Sequence, residues 1–105
     1  MMPGDLDRRL VLQAPVETAD GAGGVARTYE AVTTLWASVE PVSARGTVVA
    51  DAPGATVTHR ITIRTGPEIT TRHRFAEGAR IYRVVSLREN AKRRFLVIGA
   101  EERSD

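Results

Sequence analysis

LWASVEPVSARG (Leu35–Gly46), TVVADAPGATV (Thr47–Val57) and THRITIR (Thr58–Arg64) follow one another directly, and their reading decides the fold. In the first, Leu35, Ala37 and Val39 alternate with Trp36, Ser38 and Glu40, the period of two of a strand with one apolar face. Pro41 ends that strand. Over Val57–Arg64, Val57, His59, Ile61 and Ile63 alternate with Thr58, Arg60, Thr62 and Arg64, which predicts a half-buried antiparallel strand with one wet or partner-facing side. Between them, Ser43–Thr56 has no helical period and contains Gly46, Pro53 and Gly54. It is about 14 residues long, a length at which loops are functional or disordered. Val48, Val49, Ala50 and Ala52 make it too apolar for a solvated linker, so it docks on something or orders on assembly, unless it is an excursion without a role.

Outward from this centre the chain keeps reading as strands. Arg8–Ala14 places Leu10, Leu12 and Ala14 on one face and ends at Pro15. Val16–Arg27 holds DGAGG (Asp20–Gly24), a turn composition; no GK[ST] follows and no GxGxxG opens a helix, so it reads as a hairpin loop and not as a phosphate cradle. Thr28–Pro41 is extended, with its clear strand at Thr34–Glu40. Gly66–Pro67 breaks the strand after Arg64, and Glu68–Phe75 reads as a short polar strand or edge. Glu77–Gly78 is a turn, and Arg80–Leu87 is a strand whose faces break at Val84–Val85, the sign of a bulge or of burial on both sides. Arg88–Lys92 reads as a polar hairpin turn, Arg93–Ala100 as a final strand apolar on both faces, and the tail EERSD as frayed. Six extended segments without an amphipathic helix give an all-β fold, a small antiparallel barrel or sandwich with a long loop between its second and third strands.

The bulk properties bound the function. The chain has 105 residues, 42% hydrophobic and 27% charged, enough for one modest core over 1–105. No apolar run approaches the roughly 18 residues of a membrane span, and MMPGDLDRRL is not ordered as a signal peptide, so synthesis in the cytoplasm and no membrane partner are expected. With no cysteine there is neither a disulfide framework nor a thiolate site. Lys92 is the only lysine among 15 basic residues. Arginine in that proportion follows from a GC-rich genome or from surfaces that pair with carboxylates and phosphates.

Candidate chemistry is sparse. His59 lies on an apolar strand face and His73 between Arg72 and Arg74, with no HxxxH or HExxH spacing, so no metal or other cofactor is expected. Ser43 and Ser86 lack any activating turn, and Glu101 and Glu102 are adjacent and point to opposite strand faces, so no enzyme is expected. Arg72, Arg74, Arg80 and Arg83 form one basic group and Arg88, Lys92, Arg93 and Arg94 another. They suit phosphate backbones or salt bridges to a neighbouring subunit, and the aromatic platform of an oligonucleotide-binding barrel would have to come from Phe75, Tyr82 and Phe95. Trp36 reads as a partly buried core residue, or else as the cover of a barrel end or a subunit contact.

The order of RRLVLQ, DGAGG, LWASVEPVSARG, THRITIR, TRHRF, YRVVSL and RRFLVIGAE resembles the phage head-tail joining family, also called head-completion or stopper proteins, found in phages, prophages and gene transfer agents. The resemblance covers nearly the whole chain. It implies a β-barrel subunit in a ring of about six or twelve copies, below the portal and its adaptor protein, at the neck of a phage-like particle. Such a ring retains packaged double-stranded DNA, without sequence specificity, and docks a tail terminator or tail protein. The loop Ser43, Ala44, Arg45, Gly46, Thr47, Val48, Val49, Ala50 and Asp51 would line or close the channel, and Trp36, Arg60, Arg64, Arg72 and Arg74 would meet subunits or partners. The alternative is a small nucleic-acid-binding β-barrel acting alone.

Overall fold

A computed structural model describes residues 6–42, 47–48, 56–90 and 94–103. In chain order the strands are β1 (Arg8–Ala19), β2 (Val25–Pro41), β3 (Thr47–Val48), β4 (Thr56–Val57), β5 (His59–Arg64), β6 (Arg74–Glu77), β7 (Arg80–Asn90) and β8 (Phe95–Arg103). Six of them close an antiparallel barrel in the order β1-β2-β5-β8-β7-β6, while β3 and β4 form a separate two-stranded ribbon. Alternation along each strand fills the interior: Leu10 and Leu12 of β1, Ile61 and Ile63 of β5, Phe75 of β6, Tyr82 and Val84 of β7 and Ile98 of β8 are all inside. Each such apolar side chain contributes about 1.5–3 kcal/mol on burial.

The closing seam is short. β1 meets β6 only from Val11↔Ala76 to Gln13↔Arg74. A fork reinforces it. Arg8 Nε donates to Glu77 Oε2 at 2.6 Å and Arg8 Nη2 donates to Glu77 Oε1. Glu77 is thereby held below the usual carboxylate range, chiefly by these donated hydrogen bonds, and Arg8 is pushed up by the same contact.

The expected bulge at Val84–Val85 is present. The register of β7 against β8 shifts between Val84 and Ser86, which leaves Val84 in the core and turns Val85 to the other face. There Val85 packs with Val57 and Val42. Gly99 makes room for this ribbon, because a Cβ at that position would meet Ser86 Oγ and lie 3.2 Å from Val57 Cγ2.

Several sequence expectations are corrected. Pro15 does not end β1, which runs on to Ala19. Beyond Gln13, β1 has a partner on the β2 side only, so a residue without an N–H is accommodated at the open edge. Val16–Arg27 is therefore mostly strand, and β1 and β2 continue as a two-stranded arm with its turn at Asp20–Gly24. Asp20 Oδ1 accepts from Ala22 N at 2.8 Å and Gly24 N at 3.0 Å, which holds its carboxyl below the usual range. Gly21 and Gly23 take φ of 81° and 86° there, values that side-chain-bearing residues avoid.

Val57 does not share a surface with His59, Ile61 and Ile63. The strand is interrupted at Thr58, whose N–H donates to Ala100 O at 2.8 Å and whose hydroxyl accepts from Glu102 N, also at 2.8 Å. Thr62, read as wet or partner-facing, is buried between Ser38 and Val97, with the longer Arg60 and Arg64 before and after it on the same face. Glu68–His73 is not strand, and β6 is confined to Arg74–Glu77. Arg88–Asn90 extends β7 instead of turning. Glu101–Arg103, read as a frayed tail, pairs with Arg83, Tyr82 and Ile81.

Candidate functional site

The arm carries an irregularity that sets its surface chemistry. The β1–β2 register passes from Leu12↔Thr33 to Gln13↔Ala31, so Val32 is an extra residue. An extra residue inverts the alternation on one side of it. Leu35, Ala37 and Val39 face the barrel interior, whereas Arg27 and Tyr29, with the same parity, emerge opposite Glu17 and Pro15 on the outer face. There they meet the segment entering β6. Arg74 Nε donates to Gln13 Oε1 at 2.6 Å, and its guanidinium lies 3.7 Å from the Tyr29 ring centroid.

The result is a groove at the root of the arm, a cavity of about 470 Å³ lined by Arg27, Tyr29, Thr71, Arg72, His73, Arg74, Ile81, Arg83 and Arg103. Two of its arginines share one acid. Arg27 donates to Glu17 Oε1 through Nη2 at 2.7 Å and Nε at 3.2 Å, and Arg72 Nη2 reaches the same oxygen at 3.3 Å. The Glu17 contact pushes Arg27 up. Arg103 pairs with Glu101 at 3.5 Å.

A second concave region, about 550 Å³, forms where β5 ends and β2 continues paired with β1 only. Its lining is Leu6, Leu35, Trp36, Ile63, Arg64, Thr65 and Pro67. Trp36 is 55% exposed, which corrects its reading as a core tryptophan. It points outward because Leu35 and Ala37 point inward, and its ring is covered only in part by the guanidinium of Arg9, 5.5 Å away.

The expected contact residues thus fall into separate places. Arg72 and Arg74 come together in the basic groove, and Trp36 and Arg64 meet in the apolar notch. Arg60 stands apart and pairs with Glu40 at 3.8 Å. Of the expected channel loop, Ser43, Ala44, Arg45, Gly46, Val49, Ala50 and Asp51 lie outside the described residues, and Thr47 and Val48 form β3, paired with Val57 and Thr56. The foot of this segment is anchored: Val42 N donates to Thr58 O at 2.9 Å. Sequence reasoning missed Arg27, Tyr29 and Arg103, the first two because they were assigned to the hairpin loop and its flank, the third because it was assigned to the tail.

Phe75 and Tyr82 are fully buried and Phe95 nearly so, so the aromatic platform expected of an oligonucleotide-binding barrel is inside the core. His59 Nδ1 lies 3.0 Å from Thr58 Oγ1 and its ring packs edge-on to Tyr82, with centroids 5.2 Å apart. His73 Nδ1 accepts from Thr70 N at 3.0 Å.

The fold is a small closed antiparallel barrel with Phe75, Tyr82 and Phe95 inside, a projecting two-stranded arm, a basic groove and an apolar notch. The chain belongs to the phage head completion protein family, whose model matches residues 1–103. It is similar to a chain of the virion of a native gene transfer agent particle, at 33% identity and a TM-score of 0.71, covering 95% of this chain and 97% of that one. A Shigella flexneri 2a protein with a solution structure is similar at 29% identity and a TM-score of 0.73, covering 97% and 96%. Among curated proteins no match is found. The chain's role is therefore structural, in a phage-type head.

Proposed function

We propose that the protein is the stopper of a head–tail connector. It assembles as a ring of about six or twelve copies below the portal and adaptor, at the neck of the particle. There it retains double-stranded DNA and offers a docking surface to a tail terminator or tail protein. The observation that carries this reading is the match to the head completion family over residues 1–103. Physical arguments add to it. Ring symmetry repeats each side chain around an axis, so a single Arg45 becomes a band of positive charge that attracts phosphates of any sequence. The segment from Ser43 to Thr56 leaves a root fixed by Val42 and Thr58, which suits a loop that lines or closes a channel while its base stays in place. Trp36, Arg60, Arg64, Arg72 and Arg74 serve contacts with neighbouring subunits or partners. No covalent chemistry is needed.

The test is a loop replacement in a particle-producing host. Exchanging Gly46–Gly54 for a short turn is expected to leave the barrel folded while packaged DNA leaks, measured as DNA content of purified heads. Normal retention together with a misfolded protein would make the loop scaffold. Filled, tail-bearing particles after deletion of the whole gene would refute the stopper role. Salt-sensitive binding of free DNA by the monomer would favour a nucleic-acid-binding barrel acting alone.

A further inference from the structure

We propose that the basic groove at the root of the arm is a carboxylate site that docks an acidic, extended segment of a neighbouring protein in the particle. The proposal rests on the reading of Arg72 and Arg74 as contact residues and gives their partner a chemistry.

Five guanidinium groups reach the groove from five places in the fold. Arg27 comes from β2, Arg72 from the turn before β6, Arg74 from β6, Arg83 from β7 and Arg103 from β8. Bringing like charges together costs free energy unless something of opposite sign is present, and the groove's own acids fall short. Glu17 serves Arg27 and Arg72, and Glu101 serves Arg103. Arg74 is fixed by neutral groups, the Gln13 amide and the Tyr29 ring, so it is positioned without being neutralised. Arg83 is exposed and meets no carboxylate within ion-pair distance among the described residues.

Glu17 shows which anion this arrangement takes. Three N–H donors from two arginines converge on its Oε1. Arginine binds a carboxylate best as a fork, one N–H to each oxygen, and this geometry departs from that. The side chains of Glu17, Arg27 and Arg72 are 40%, 55% and 67% exposed, so the internal pairs are screened and easily exchanged. Glu17 is thus an internal competitor that an incoming carboxylate displaces.

The same features weigh against DNA as the occupant. A duplex presents a long phosphate track, whereas this cavity of about 470 Å³ accommodates a few side chains.

The experiment uses the full chain and a fluorescein-labelled octaglutamate peptide, with octaglutamine and a 20-base-pair DNA duplex as comparison probes, read by anisotropy at low salt. Saturable binding of octaglutamate is expected, weakened about tenfold or more by Arg72→Glu with Arg83→Glu. Glu17→Gln is expected to tighten binding several-fold, because it releases two guanidinium groups; a purely structural Glu17 would instead give weaker or unchanged binding. Thermal unfolding of each variant shows that the barrel is intact, and the arginine pair decides the matter if Glu17→Gln fails to fold. Absence of saturation, insensitivity to the arginine pair, or a preference for the duplex with the same sensitivity overturns the proposal. The isolated chain needs no ring for this measurement, so failure here overturns the groove assignment alone, while failure of the particle experiment overturns the stopper reading alone.

Discussion

The barrel and the arm are built from the same two strands and are held in opposite ways. Within the barrel, β1 and β2 have neighbours on both sides and send Leu10, Leu12 and Ala37 into a core from which water is excluded. On the arm, they have only each other as strand partners, with side-chain contacts from Tyr29 and Glu17 to Arg74 and Arg72 at its root. Val25 and Val32 stand exposed there, and the cross-strand contacts are a surface ion pair, Arg27–Glu17, and a capped turn at Asp20. An isolated two-stranded ribbon is marginal in water. The barrel therefore carries the stability, and the arm follows it. The part of the chain least needed for folding is also the part that forms one wall of the basic groove.

Three measurements probe this division. The largest effect is expected in the core. Phe75→Ala removes a ring fully buried between neighbouring strands and should cost about 3–5 kcal/mol in denaturant unfolding. A cost near zero would mean that Phe75 does not belong to a packed core. An intermediate effect is expected at the seam. Because the fold depresses the Glu77 carboxyl, its contribution is present above the usual glutamate range and is lost as pH falls through the folded value. Glu77→Gln should therefore lower stability at neutral pH by about 1 kcal/mol, discounted for partial exposure, and flatten the loss of stability below about pH 4. Parallel acid titrations of the two proteins check the sign. The smallest effect is expected in the arm. Replacing Pro15–Tyr29 with a two-residue turn should change barrel stability by about 0.5 kcal/mol or less, while altering octaglutamate binding, because Arg27, Tyr29 and the competing Glu17 leave together. A large loss would show that the arm supports the barrel.

The barrel was legible in the sequence because its signal is local. Alternation at Leu35–Val39 and at His59–Ile63, and the doubled valine at Val84–Val85, each report a strand or a bulge within a few residues. The arm was legible only in part. Pro15 and the glycines of Asp20–Gly24 look like breakers, and nothing in the sequence says that Pro15 sits where one edge is open. The groove was hidden for a sharper reason. Val32 reverses the facing of Arg27 and Tyr29, and a single inserted residue has no compositional signature when its neighbours are Ala31 and Thr33. Arg72, Arg74 and Arg83 stand in one basic group of the sequence, together with Arg80; that Arg27 and Arg103 join the groove and Arg80 does not line it depends on strand order, which periodicity does not encode.

The short seam between β1 and β6 bears on the order of folding. The hairpins β1–β2, β6–β7 and β7–β8 join strands adjacent in the chain and can form early, whereas the seam joins Val11–Gln13 to Arg74–Ala76 across most of the chain. Long-range closure carries the larger entropy cost, so this is the last ladder to zip and the first to part. Amides of Val11–Gln13 and Arg74–Ala76 should then exchange with solvent deuterium ahead of those between β5 and β8, through a sub-global opening in which the cylinder becomes, for a moment, an open sheet with two fresh edges.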